Sequence, residues 1–283
     1  MRIPESCAAC LYDKQQHMTD DPAYLEEVRF LLENRSEEDT SPYLVYLFGQ
    51  AYQKHFGEDS RYGQIKKTYN DLVLSMEDAL IQRIEAAEDP LALSLLYARI
   101  GNYIDFGAMN EVDEDTFLGL FDRVDMQERD VPVYRSFLNA CEKASEFLLI
   151  TDNCGEIVLD KLMIRQLKNR FPKLHVTLLM RGKDVLNDAT PADAVYFGLD
   201  ALADIVDNGL AIAGTIPSML PEPAFKALEK ADVILAKGQG NYESLSRQGY
   251  HVFYAFLCKC ELFMNRFQVP KLTGIFVEET GDQ

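Results

Sequence analysis

The sequence predicts an α/β protein: an N-terminal all-helical region, then a C-terminal doubly wound, mainly parallel sheet. Two observations predict it. Over residues 1–143 apolar residues recur at helical spacing, and no strand-like alternation competes with them. Over residues 144–283 the rhythm changes to short continuous apolar runs, rich in β-formers and interrupted by helical stretches. That pattern belongs to parallel strands buried on both faces.

In the first region, "DDPAYLEEVRFLLENR" opens on the start signal Asp20-Asp21-Pro22 and sets Tyr24, Val28, Leu31 and Leu32 along one face. "SPYLVYLFGQAYQKHF" repeats the pattern from Ser41, with Leu44, Leu47 and Tyr52 as core residues. A third helix, 61–87, carries Ile65, Tyr69, Leu72 and Met76, and Asp89-Pro90 caps a fourth. "DVPVYRSFLNACEKA" is a further helix. In the second region "EFLLI", "LHVTLLM", "DVILAKG" and "HVFYAFL" read as strands, with "LTGIFV" as the last. "GEIVLDKLMIRQLKNRFP" is the first crossover helix, ended by Pro172, and "LPEPAFKALEKA" is another. No repeat or low-complexity linker separates the regions, so they are expected to share one cleft.

Composition narrows the function. With 283 residues, 47% hydrophobic and 11% aromatic, the chain can bury a sizeable core. No apolar run approaches the roughly 20 residues that span a bilayer. The N-terminal stretch lacks the apolar core of a secretory signal, so a cytoplasmic protein is expected. Against 28 Lys and Arg stand 46 Asp and Glu, a formal charge of −18. That field repels nucleic-acid backbones and anionic lipids, so neither nucleic acid nor membrane is expected as a partner. An anionic substrate needs a local positive site or a metal ion to offset it. Six cysteines in a chain of this size do not suggest a disulfide scaffold. Nothing in the sequence reports the oligomeric state.

Three predicted strand ends carry unusual polar residues. "FLLI" runs into Thr151-Asp152-Asn153, "LHVTLLM" into "RGKDVLNDAT" with Arg181, Asn187 and Asp188, and "DVILA" into "KGQGNYES" with Lys237, Gly238, Gly240 and Asn241. In a parallel sheet these C-terminal ends lie on one edge, where ligands bind. Two carboxylates and an amide oxygen suit Mg²⁺, Mn²⁺ or a similar ion. A lysine and two glycines at a helix start form an oxyanion seat, because backbone N–H groups approach closely there. Alone, each feature has an ordinary explanation: Asp152 or Asp188 as a helix cap, Lys237 as a solvated charge. Together they form equipment for a phosphate group. A P-loop, a G-x-G-x-x-G turn, an Asp-x-Asp pair after the first strand and a G-x-S-x-G elbow are all absent, and the four histidines show no metal-ligand spacing.

"TDNCGEIVLDKLMI", "MRGKDVLNDAT", "ADVILAKGQGNYESL" and, in the helical region, "IGNYIDFG" (100–107) resemble the metal-dependent damage-control phosphatases, first catalogued as domain of unknown function 89. Cys7-Ala8-Ala9-Cys10 resembles the CxxC of that family's mainly prokaryotic subgroup. The resemblance runs from residue 7 to about 262. It implies an α/β domain with an added helical region, and hydrolysis of phosphate monoesters of small metabolites, either sugar phosphates or damaged and surplus phosphometabolites. It implies a divalent cofactor, Mn²⁺, Co²⁺, Ni²⁺ or Mg²⁺. By match to the motifs, Asp152, Asn153 and Asp188 are the metal ligands, and Asp152, Asp188 and Lys237 the catalytic set. Lys237, Gly238, Gly240 and Asn241 contact the phosphate, and Asn102, Asp105 and Arg181 stand on the substrate side, Arg181 with the alternative of pairing with a carboxylate. Cys154 stands where alanine is common and is expected to pack. Lys183-Asp184-Val185 stand where a proline is common.

Cys7, Cys10, Cys258 and Cys260 are a candidate second metal or redox site if the N-terminus folds back on the last strands; buried or reduced cysteines are the simpler reading. For the reaction, water is favoured over Asp152 as nucleophile. Two rival classes stand beside the phosphatase: an S-adenosylmethionine-dependent carboxyl methyltransferase and a non-catalytic phosphometabolite-binding protein.

Overall fold

Short oxygen-bearing side chains start four helices of the first region, two of them at the Asp-Pro signals. In the computed structural model, which describes residues 3–105 and 113–281, Asp21 accepts from the Tyr24 amide at 2.8 Å and caps α2 (Pro22–Glu33). Asp89 accepts from Ala92 at 3.1 Å and caps α5 (Pro90–Gly101), and Thr40 caps α3 (Ser41–Phe56). In all three a proline occupies the first turn, where a missing N–H costs nothing. Asp113 caps α6 (Glu114–Asp122), while α1 (Glu5–Met18), α4 (Arg61–Glu85) and α7 (Asp130–Lys143) complete the region. Phe106 and Gly107 of the "IGNYIDFG" segment lie outside the described residues.

The second region is the mainly parallel sheet that was expected. Its strands are β1 (Glu146–Ile150), β2 (His175–Met180), β3 (Asp204–Asp207), β4 (Val233–Lys237), β5 (Val252–Leu257) and β6 (Gly274–Glu279). Their order is β3-β2-β1-β4-β5-β6, all parallel except β6 against β5. The order reverses between β1 and β4, the place where open α/β sheets bind ligands. The sequence reading missed β3. It is a four-residue edge strand, "DIVD", with an acid at each end and no fully buried residue. Such a strand carries neither an apolar run nor turn residues at both ends.

Side chains alternate across the sheet. Phe147 and Leu149 of β1 join a core that includes Tyr69 and Val73 of α4, Leu95 and Ala98 of α5, Phe137 of α7, Ile157 of α8 (Glu156–Arg170) and Ala194 of α9 (Pro191–Tyr196). Leu148 and Ile150 join the opposite core with α10 (Glu222–Lys230), α11 (Gly238–Leu245) and α12 (Glu261–Phe267). The change of rhythm at 143/144 therefore divides the sequence and not the core, since α4, α5 and α7 share one core with the sheet. A separate cluster around Tyr24, Leu44 and Phe48 ties α1, α2 and α3 together. Among the described residues no helix is long and apolar enough to cross a membrane.

A close contact between the two regions lies beside the strand tips. A methyl group added at Gly101, the last residue of α5, would sit 2.9 Å from Glu156 Cα and 2.9 Å from Leu159 Cδ1. Gly101→Ala is expected to push α5 off α8 and destabilise by about 1–3 kcal/mol, the usual cost of overpacking. Thermal unfolding of the variant beside wild type measures the loss, and an unchanged midpoint would show that α8 yields freely.

Candidate active site

Residues far apart in sequence meet because the loop after β2 folds back on the loop after β1. The Ala189 amide donates to Asp152 O at 2.7 Å, the Cys154 amide to Asn187 O at 2.8 Å, and Asn153 and Asp188 form an antiparallel bridge. Asn187 is tied in turn to the first region, donating from Nδ2 to Ile104 O at 2.8 Å. Asp152, Asn153 and Asp188 thus share one small volume at the end of β1, each nearly or fully buried. Gly238 closes that volume from β4. Its φ is +80°, and a Cβ there would lie 2.0 Å from Asp152 Oδ2, so only glycine lets the start of α11 approach the carboxylate.

Arg181 binds the two carboxylates to each other. Its Nε donates to Asp188 Oδ2 at 2.6 Å, Nη2 to Asp152 Oδ1 at 3.2 Å, and Nη1 to Asn241 Oδ1 at 3.1 Å. Asn241 is fixed by donating to the carbonyls of Thr151 and Lys237 and by accepting from Thr215. Arg181 therefore takes the alternative that its sequence position left open, a buried ion pair. Asn102 donates from Nδ2 to Asp152 Oδ2 at 2.8 Å and accepts on Oδ1 from the Leu257 amide at 3.0 Å. Its amide supports the Asp152 carboxylate.

Lys237 does not reach that edge as the sequence reading expected. Its ammonium is fully buried and donates to Ala98 O at 3.0 Å, Glu156 Oε1 at 2.5 Å and Asp160 Oδ1 at 2.8 Å. Three donors meet three acceptors, so none is left for a phosphate. Glu156 and Asp160 were passed over because an acid in the first turns of a helix is ordinary. Lys259 was passed over too, lying between the two cysteines that drew notice. It follows β5 on the same sheet edge, is buried, and donates to Asp105 Oδ2 at 2.6 Å.

The N-terminal cysteines lie near the segment after β5, since Cys260 acts electrostatically on Cys7. All six cysteines are free of disulfides. Burial, then Glu243, Cys260 and Cys10, push the Cys7 thiol up to about 11, and burial with Cys260 pushes the Cys258 thiol up to about 11. Cys154 packs as expected, fully buried in the core with its thiol pushed up to about 12 by burial.

Charge at the strand tips does not balance. Four buried carboxylates, Asp152, Glu156, Asp160 and Asp188, face two buried cations, Arg181 and Lys237. Burial raises Asp160 and Asp188 to about 6 despite Lys237 and Arg181, and raises Asp152 well above the usual range with help from Asp188 and Glu156. In addition Asn153 Oδ1 is buried without a hydrogen-bond partner. Two negative charges in excess and an unpartnered amide oxygen fit a hard divalent cation. Such an ion takes one or two carboxylates and completes its shell with water or phosphate.

The raised Asp188 pKa has a sign. The folded chain holds the proton more tightly than an ordinary carboxylate near 3.8, so burying the charge costs stability that is lost progressively as pH rises from about 4 through about 6. Asp188→Asn is therefore expected to raise the melting point of metal-free protein at pH 7, and the gain is expected to fade toward pH 5. Melting curves across that range check it.

Comparison with known proteins bears on the fold and the family. The chain is 29% identical to a damage-control phosphatase of Archaeoglobus fulgidus, over 92% of this chain and 93% of that one. It is 26% identical to a damage-control phosphatase of Pyrococcus horikoshii, over 96% of each. The fold matches the crystal structure of a domain-of-unknown-function-89 protein from P. horikoshii with a TM-score of 0.82, 23% identity, and 98% and 99% of the two chains covered. The profile of the damage-control phosphatase ARMT1-like domain matches residues 2–273, and the chain belongs to that family.

Proposed function

We propose that the chain hydrolyses phosphate monoesters of small metabolites, damaged or surplus ones among them, with a divalent ion held by Asp152, Asn153 and Asp188. The single observation that carries the reading is the buried excess of negative charge beside the unpartnered Asn153 oxygen. The names of the relatives, as damage-control phosphatases, point to the same chemistry. Mn²⁺, Co²⁺, Ni²⁺ or Mg²⁺ would supply Lewis-acid neutralisation of charge on the phosphoryl oxygens.

The chain's own residues do the rest. Arg181 keeps Asp152 and Asp188 aligned by donating to both. Asp152 is a poor nucleophile, since Oδ2 accepts from Asn102 and Asn153 and Oδ1 from Arg181, which favours attack by water. The amides of Gly238 to Gly240, at the start of α11 beside Asp152, remain the seat for phosphate oxygens. Lys259 takes the place that the sequence reading gave to Lys237. Its ammonium exchanges Asp105 for the entering phosphate, while Lys237 stays inside. The methyltransferase reading has less behind it, since the one glycine of the turn after β1, Gly155, serves packing: a Cβ there would meet Ile104 Cδ1 at 2.8 Å and Tyr69 O at 3.0 Å.

Chelator-stripped protein is expected to be inactive on p-nitrophenyl phosphate and to recover with added Mn²⁺, Co²⁺, Ni²⁺ or Mg²⁺. Asp152→Ala and Asp188→Ala are expected to lose at least about 10²–10³-fold in kcat, the loss typical of removing one group that stabilises transition-state charge. Full activity in stripped protein, or in Asp152→Ala, would overturn the reading. Lys259→Ala is expected to raise KM for phosphate esters by roughly 10-fold, as a lost charge-assisted hydrogen bond implies, whereas Lys259→Arg keeps most of the affinity.

A further inference from the structure

We infer that Glu156 is a positioning residue, whose carboxylate sets which way the Asn153 amide faces and so turns Asn153 Oδ1 toward the metal. The inference rests on the metal site proposed above and adds a residue that never touches the ion. Asn153 Nδ2 donates to Glu156 Oε2 at 2.9 Å and to Asp152 Oδ2 at 2.7 Å. A reversed amide would set its oxygen against two carboxylate oxygens, so the orientation is forced. Both N–H bonds are spent, and Oδ1 is left buried without a partner, as an oxygen donor for a cation must be. Glu156 also accepts from the Asn153 backbone amide at 3.3 Å, which holds main chain and side chain together.

Glu156 is fixed from every other direction. Lys237 holds Oε1 at 2.5 Å, Asn102 donates to Oε2 at 3.3 Å, and Gly101 lies against its backbone. Lys237 is anchored in turn by Asp160 and the Ala98 carbonyl. The buried lysine, with all its donors occupied, thereby holds Glu156 aimed at Asn153. Groups behind a ligand typically change metal affinity by about 10–100-fold.

A double-mutant cycle tests this on metal binding, read as free Mn²⁺ by electron paramagnetic resonance during titration of chelator-stripped protein. Glu156→Gln is expected to weaken Mn²⁺ by roughly 10–100-fold, because the new amide can offer N–H to Asn153 and let it reverse. In Asn153→Asp both side-chain oxygens are donors and there is no direction to set. Glu156 there adds only like charge, so Glu156→Gln in that background is expected to leave affinity unchanged or raise it. Glu156→Gln within about twofold of wild type overturns the inference, and so does an equal loss in both backgrounds, which marks general structural damage. No Mn²⁺ uptake by wild type overturns the metal site itself and the inference with it, so the two failures are told apart. If circular dichroism shows that Glu156→Gln does not fold, Glu156→Asp carries the same cycle. It keeps the charge beside Lys237 and withdraws the carboxylate by one methylene.

Discussion

The strand tips depend on one constraint: more negative charge is buried there than positive. Asp152, Asp188, Glu156 and Asp160 share a nearly dry volume with Arg181 and Lys237. Isolated, any of these carboxylates would take up a proton, because burial disfavours the charged form. Arg181 and Lys237 divide the work of opposing it. Arg181 sits between the two carboxylates at the sheet edge, and Lys237 sits one layer deeper between the two acids of α8. The layers meet at Glu156, which accepts from Lys237 with one oxygen and from Asn102 and Asn153 with the other. The first region therefore does more than cover the sheet. Through Asn102, Gly101 and the Ala98 carbonyl, the C-terminal turn of α5 forms part of the wall.

How much of this was legible follows from which signals a single sequence carries. The strands β1, β2, β4 and β5 announce themselves as apolar runs, and the polar residues at their ends can be placed on one edge before any coordinates are seen. Asp152, Asn153 and Asp188 were singled out that way, and the resemblance joined them as a set. The direction of a side chain is another matter. Lys237 ends β4 next to Asp152 in sequence logic, yet its long stem runs inward to α8. Nothing in "AKGQG" reveals that two acids wait there. Glu156 and Asp160 look like an ordinary acidic helix start, and their role appears only once Lys237 is seen between them. Lys259 was hidden by its neighbours, since Cys258 and Cys260 drew notice as a close cysteine pair.

A site of this kind stores a penalty in the fold. Raised acid pKa values mean that the metal-free chain carries charge it cannot neutralise, and this cost is greatest above about pH 6, where Asp160 and Asp188 ionise. Whatever binds the folded chain and not the unfolded one returns stability by mass action. A divalent cation at Asp152 and Asp188 would cancel the excess at its source, so occupancy and stability become linked through the same few atoms. The net charge of −18 adds a second reason for this arrangement. An anionic ester approaching such a surface is repelled at long range, and a buried divalent cation at short range would reverse the sign where a phosphate would sit. Selectivity against other anions would then rest on that short-range geometry alone. This gives a reason for fixing even the direction of one amide, Asn153, with two separate hydrogen bonds.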